Sequence, residues 1–234
     1  VEAGRIVKET LFLMEKNIKP GVSTKELDQI AEEYIRSQNA IPGFKGLYDY
    51  PSTICISIED EVVHGLPSSK KLNEGEIVGI DVGSIYNGYY GDHAKSFAVG
   101  GISDDKKRLL EVTKKCLDIG IDKAVPGNRI GDIGCAIQEH AESNGYGVVR
   151  ELVGHGIGSR LHEEPQIPNY GVAGTGPVID VGMCFAIEPM INMGTKEVYT
   201  KNDGWTICTK DGLPSAHFEH TITITENGPQ ILTI

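Results

Sequence analysis

Two Pro-Gly breaks, Pro20-Gly21 and Pro126-Gly127, stand 106 residues apart in this chain. A second pair of landmarks repeats at 107: Leu72-x-x-Gly75 ahead of Ile80-Asp81, and Ile179-x-x-Gly182 ahead of Ile187-Glu188. Self-similarity at a fixed period signals a repeated unit. Each half reads as a helix, a Pro-Gly break, a second helix, and strands that end on a carboxylate. The expected fold class is therefore α+β, with two pseudo-symmetric helix-helix-strand halves. The repeat also constrains the site: Asp81 and Glu188 occupy equivalent places and converge across a pseudo-twofold axis. Residues 1–234 are expected to form a single domain around that point, not two independent ones.

The elements follow from periodicity. Ile6, Val7, Thr10, Leu11 and Met14 recur at helical spacing within residues 3–17. Ser23 or Thr24 caps a second helix with Leu27, Ile30, Ala31, Tyr34 and Ile35 on one face. Residues 38–51 read as a Gly/Pro/aromatic loop. Residues 53–58 read as a strand, 77–82 as a short apolar strand ending near Asp81, and 89–99 as its hairpin partner. Helices are expected over 106–124 and 130–144. Strands are expected over 148–153, 183–187, 205–209 and 218–225, with a glycine-histidine loop and a further loop between the first two.

Composition narrows the class. A formal net charge of −11 disfavours nucleic acid, whose phosphates need clustered Lys and Arg. Acidic groups gathered at one place attract cations instead, including the ammonium of a peptide N-terminus. The five cysteines are widely spaced with no C-x-x-C pair, which argues against a disulfide framework or a thiolate zinc site and fits a cytoplasmic setting. No stretch approaches the ~18 apolar residues of a membrane span, and no signal-peptide pattern is present.

The segment from Val153 to Pro165 packs His155 and His162 among glycines and two glutamates. Glycines there permit tight turns or close approach of the backbone, and histidine is the commonest metal ligand. With Asp81, Asp92, Glu188 and Glu219, His155 completes a candidate set. Singly, each acid is an ordinary surface carboxylate at a strand end. Jointly, three lie in or beside apolar strands, where a carboxylate is costly unless paired or bound to metal. Four carboxylates and one imidazole, without thiolate, suit Mn, Fe, Co or Zn better than Cu(I). Two shared carboxylates would make the site dinuclear, and the expected chemistry is hydrolysis by metal-activated water.

The motifs Val62-Val63-His64-Gly65-Leu66-Pro67, Ile80-Asp81-Val82-Gly83, Gly91-Asp92-His93-Ala94-Lys95-Ser96-Phe97, Gly154-His155-Gly156-Ile157-Gly158, Leu161-His162-Glu163-Glu164-Pro165, Ala186-Ile187-Glu188-Pro189-Met190 and Phe218-Glu219-His220-Thr221 resemble the type I methionine aminopeptidases. They do so in order and over nearly the whole chain. The resemblance implies the pita-bread fold, whose two halves share a central antiparallel sheet. It implies two divalent metal ions held by Asp81, Asp92, His155, Glu188 and Glu219, with Asp92 and Glu219 bridging. It implies that His64 and His162 orient the substrate and stabilise the tetrahedral intermediate, and that Glu188 handles the proton of the attacking water. The implied substrate is the N-terminal methionine of a nascent polypeptide, met at the ribosome, with a small second residue and no membrane or nucleic-acid partner. The methionine pocket, carried over by position, comprises Tyr50, Cys55, Leu161 and Trp205. The implied enzyme is monomeric and cytoplasmic.

Three positions depart from the family pattern. Leu47 stands where Tyr is frequent, Leu161 where an aromatic is common, and Asp49 where Gly is usual. Only 26 positions separate His162 from Glu188, too few for the insertion of the type II enzymes. Of the other histidines, alternation puts His217 on the side of Glu219 and His220 on the opposite face, which favours packing for His220. Proline-directed relatives usually carry an extra N-terminal domain. A binding protein on this fold would have lost ligands, whereas all five are present. A dinuclear phosphatase would need more basic groups than Lys95 and Arg160 provide.

Overall fold

A computed structural model describes all 234 residues. The chain runs through α1 (Glu2–Asn17), α2 (Thr24–Ser37), β1 (Ile41–Pro42), β2 (Ile54–Ile58), β3 (Glu61–Val63), β4 (Ile77–Tyr86) and β5 (Tyr89–Ala98). It continues through α3 (Asp104–Lys123), α4 (Ile130–Ser143), β6 (Gly147–Val148), β7 (Gly154–Gly156), β8 (Glu163–Ile167), β9 (Cys184–Ile187) and β10 (Met190–Asn192). The last strands are β11 (Val198–Thr200), β12 (Ile207–Thr209), β13 (Ser215–His217), β14 (His220–Thr225) and β15 (Gly228–Ile231). No helix is long and apolar enough to cross a membrane.

The duplication is present down to single hydrogen bonds. Gly21, Gly75, Gly127 and Gly182 all take φ between 88° and 93°, a left-handed backbone that favours glycine. In the first half the Gly21 amide donates to the Leu72 carbonyl at 2.8 Å, and the Leu72 amide to Val22 at 2.9 Å. In the second half Gly127 donates to Ile179 at 2.9 Å, and Ile179 to Asn128 at 2.8 Å. Each Pro-Gly break is thus pinned to the segment that feeds the next strand, and both anchoring side chains, Leu72 and Ile179, are buried. The helix starts match as well. Ser23 and Glu26 form a reciprocal capping box on α2, and Asp132 accepts from the Arg129 amide at 2.7 Å ahead of α4. Such caps each stabilise a helix by about 1 kcal/mol.

Each helix pair buries its apolar stripe on its own sheet. α1 and α2 place Ile6, Val7, Leu11, Met14, Leu27 and Ile35 against Ile54, Ile56, Ile80 and Val82. α3 and α4 place Leu109, Cys116, Leu117, Ile133 and Ile137 against Phe185, Ile187, Ile222 and Ile224. These are separate cores, one per half. All strand pairs are antiparallel. In the first sheet β4 pairs β5 along one edge, and β2 and β1 in turn along the other. The second has the order β15-β14-β9-β7-β8.

The two sheets meet where β5 passes antiparallel to β13 and β14. Only the middle of this seam is a direct backbone bond: the Glu219 amide donates to the Ala94 carbonyl at 2.9 Å. On either side a hydroxyl fills the gap. Thr221 Oγ1 accepts from the Asp92 amide at 3.0 Å and donates to the Asp92 carbonyl at 2.7 Å. Ser96 Oγ accepts from the His217 amide at 2.9 Å and donates to the His217 carbonyl at 3.0 Å. Each half lends one hydroxyl to the other.

Three sequence expectations need correction. Asp81 is not at a strand end: β4 runs on to Tyr86, because hairpin pairing with β5 continues past it to Tyr86 and Tyr89. Residues 148–153 are not a continuous strand. Pairing with β10 ends at Val148, and the strand that matters is β7, which carries His155 itself. The segment 38–51, expected as a loop, contains β1 and a short 3-10 turn, Leu47–Asp49.

Candidate metal centre and active site

Register places the acids. Asp81 on β4 lies opposite Ala94 of β5 and opposite Cys55 of β2. Asp92 lies two positions from Ala94 on the same face of β5, as the strand period requires. Glu219 sits between β13 and β14, with its amide bonded to Ala94. Glu188 follows β9 directly, and its carbonyl accepts from the buried Asn169 side-chain amide at 3.0 Å. His155 is held in β7 between Gly154 and Gly156. A Cβ on Gly154 would lie 2.4 Å from the Ala186 carbonyl oxygen, and one on Gly156 2.3 Å from that of Glu164. These glycines serve close strand approach rather than turning.

The five groups converge. Ligand atoms of Asp92, His155 and Glu219 lie within 4.8 Å of one another. His155 Nε2 is 3.6 Å from Glu188 Oε1 and 3.9 Å from Asp92 Oδ2. His155 Nδ1 donates to its neighbour Gly156 carbonyl at 3.0 Å, which leaves Nε2 as the lone-pair nitrogen facing the acids. Asp81 Oδ1, Asp92 Oδ1 and Glu219 Oε1 are buried with no hydrogen-bond partner. Burial, reinforced for Asp92 and Glu219 by the neighbouring carboxylates, pushes the pKa values of all three above the usual carboxylate range. Buried carboxylate oxygens that face one another without a donor are satisfied by a cation. The donor set is hard, oxygen-rich and carries a single imidazole, and it fits a divalent metal ion.

A cavity of about 120 Å³ opens on this cluster. All eleven residues singled out from the sequence line it: Tyr50, Cys55, His64, Asp81, Asp92, His155, Leu161, His162, Glu188, Trp205 and Glu219. One wall is acidic. The other is a small apolar cluster of Phe44, Tyr50, Cys55 and Leu161, with Trp205 set edge-on to Tyr50 at 5.1 Å between ring centroids. The Tyr50 hydroxyl lies 3.1 Å from the carbonyls of Ile54 and Gly65, so its ring is fixed from behind. His64 and His162 stand at the boundary between the walls. His162 meets His155 at 4.5 Å and 78°. Burial holds the His64 pKa below its usual value. For His162, burial and then the neighbouring His155 push it down to about 4. His162 is therefore neutral near pH 7 and offers a nitrogen lone pair and an N–H.

Sequence reasoning missed part of the lining. Phe44 and Tyr48 complete the apolar wall, and Tyr48 runs parallel to His162 at 6.1 Å and 15°. Tyr48 is reached only because it and Asp49 adopt positive φ of 50° and 67°, which no periodicity signals. His217 lies on the Glu219 side as expected, with Nε2 3.4 Å from Glu188 Oε2. His220 faces away, stacked on His93 at 4.5 Å and bonded to Thr233 at 2.8 Å.

Residues 1–226 match the model of metallopeptidase family M24. The chain is 52% identical over 234 residues to a methionine aminopeptidase of Clostridium acetobutylicum, covering 100% of this chain and 94% of that one. It superposes with TM-score 0.98 on the crystal structure of methionine aminopeptidase from Rickettsia prowazekii, at 44% identity, covering 100% of this chain and 94% of that one. Prolidase from Pyrococcus furiosus shares the fold at TM-score 0.81 and 25% identity, but the chain covers only 61% of it. The architecture and the acid-lined cavity are those of the pita-bread metallopeptidases. Within that class the chain belongs to the methionine aminopeptidase family. It is a metal-dependent hydrolase and an exopeptidase, with a divalent cation as cofactor.

Proposed function

We propose that residues 1–234 act as one catalytic unit that removes the N-terminal (initiator) methionine from peptides and nascent proteins when the second residue is small. The carrying observation is the single cavity with an acidic wall and an apolar wall facing each other. Asp81, Asp92, His155, Glu188 and Glu219 would hold two divalent ions, drawn from Mn, Fe, Co or Zn, with Asp92 and Glu219 serving both. The chemistry a bound divalent ion supplies is Lewis acidity toward water and the scissile carbonyl. Glu188 takes the proton of the attacking water and delivers it toward the leaving amine. His64 and His162 donate hydrogen bonds to the carbonyl oxygen as it gains charge.

Substrate choice follows from the walls. The free α-amino group would be received at the cation held by the acidic cluster, which restricts cleavage to the chain end. The thioether enters the pocket of Tyr50, Cys55, Leu161 and Trp205, where S–aromatic contact favours it. The second side chain is crowded by His64 and His162. A bulky group there moves the scissile carbonyl off line, and ~1 Å of misplacement costs ~100-fold in rate. The reading further places the protein in the cytoplasm as a monomer acting on nascent chains at the ribosome, without nucleic acid or membrane as a partner.

The test is a side-by-side assay of Met-Gly, Met-Ala, Met-Leu, Leu-Gly and Gly-Pro peptides. Met-Gly and Met-Ala should be cleaved well and Met-Leu poorly. Efficient cleavage of Xaa-Pro peptides lacking methionine would move the assignment to the prolidase-like relatives.

A further inference from the structure

The seam between the halves runs directly behind the shared carboxylates. Its register is strict: Asp92 faces Thr221, Ala94 faces Glu219, and Ser96 faces His217. The His93–His220 stack falls in the same register, and the His93 ring also bonds the Glu219 carbonyl. Asp92, Ser96, His217, Glu219 and Thr221 are all buried. A buried backbone amide or carbonyl must find a partner, and at Asp92 both groups find the same one, the Thr221 hydroxyl. Asp92 comes from the first half and Glu219 from the second, so the spacing between their carboxylates is a property of this seam and not of any single sheet.

We infer that Thr221 and Ser96 are positioning residues for the cation site: their hydroxyls, each bridging the amide and carbonyl of the residue opposite, set the separation of Asp92 from Glu219 and so the fit of the site to a divalent ion. The inference rests on the metallopeptidase reading above. Thr221 acts on the backbone of a ligand itself. Ser96 acts on His217, two residues from Glu219 and in contact with Glu188. The Thr221 clip should therefore matter more. Valine at 221 keeps the shape and removes both hydrogen bonds, so the strands are free to shift while the packing is retained. Serine keeps the hydroxyl and drops the methyl.

The experiment measures Mn²⁺ binding by calorimetry on metal-stripped protein, with thermal unfolding of the stripped protein alongside and kcat and KM for a Met-Ala peptide at saturating Mn²⁺. Substitution of residues that orient metal ligands typically weakens binding about 10–100-fold. Thr221→Val should fall in that range, Ser96→Ala at its lower end, and Thr221→Ser should recover to within about threefold of the parent, since the bridging hydroxyl is restored. At saturating Mn²⁺, kcat should stay depressed in Thr221→Val with KM little changed. A residue with only a packing role would lower the unfolding temperature and leave Mn²⁺ affinity of the folded protein intact. Parent-like affinity in folded Thr221→Val overturns the inference. If that variant does not fold, parent-like affinity in Ser96→Ala overturns it equally. A parent protein that binds no divalent ion overturns the metallopeptidase reading and the inference together, whereas binding and turnover in the parent with unchanged variants overturn the inference alone.

Discussion

The two walls of the cavity are built by different means. The acidic wall stands on ladder-paired strands or directly beside them: Asp81 on β4, Asp92 on β5, His155 on β7, with Glu188 just after β9 and Glu219 just before β14. The apolar wall comes mainly from irregular chain: Phe44, Leu47, Tyr48 and Tyr50 from one turn, Leu161 from another, and Trp205 from a third, with Cys55 of β2 as its one strand residue. Groups that must meet within a few tenths of an ångström are placed on elements whose positions are fixed by hydrogen bonding at every step. Groups that need only offer apolar surface of suitable shape are placed on loops, which tolerate change. Strands and their immediate flanks thus carry the candidate metal ligands, whereas loops carry most of the apolar wall, and His64 and His162 stand outside the strands, beside β3 and β8.

Damage to the acidic wall should be the more severe. Chelation should abolish peptidase activity, with Mn²⁺, Co²⁺ or Fe²⁺ restoring it. An ion at ~100 times its dissociation constant stabilises the fold by ~2.7 kcal/mol, so the unfolding temperature should fall by roughly 5–10 °C on stripping. Full turnover by protein verified as metal-free would break the distinction altogether. Asp92→Asn should lower kcat by about 1,000-fold, as loss of several kcal/mol of charge stabilisation implies, and should reduce bound metal measured by elemental analysis.

Residues at the boundary and on the apolar wall sharpen the contrast. His64→Ala should lower kcat by about 100-fold while metal content stays near that of the parent, the pattern of a contact made chiefly in the transition state. Loss of metal in His64→Ala would place His64 on the acidic wall instead. Trp205→Ala should have the smallest effect. It should raise KM for Met-Ala about tenfold, with kcat and metal content unchanged, because it removes apolar contact shared by ground and transition states. A fall in kcat as large as that of His64→Ala would show that the walls are not separable.

The same division governs what could be read from the chain. The repeat and the helix pairs were legible because Pro20-Gly21 and Pro126-Gly127 are local breaks with a local cause. Asp81, Asp92, Glu188 and Glu219 stood out because charge within an apolar run conflicts with burial. Strand ends were less legible. Asp81 looked terminal because apolar residues give way after it, yet cross-strand pairing with β5 carries β4 five residues further. Tyr48 and Phe44 were missed because left-handed turns leave no periodic trace. The Thr221 clip was half visible: alternation puts Thr221 on the Glu219 face, but only the meeting of segments 129 residues apart shows what the hydroxyl bonds.

The separate cores have a consequence for how the chain can be handled. The first core is drawn from residues up to Val99, and the second comes from Leu109 onward apart from Ile77. Between them Gly100 and Gly101 are exposed. Cleavage at that junction should yield two pieces that each retain an apolar nucleus but own only part of the catalytic apparatus: Asp81 and Asp92 in one, His155, Glu188 and Glu219 in the other. Mixed in the presence of Mn²⁺, they should regain peptidase activity as the pieces combine, making turnover a reporter of noncovalent reassembly.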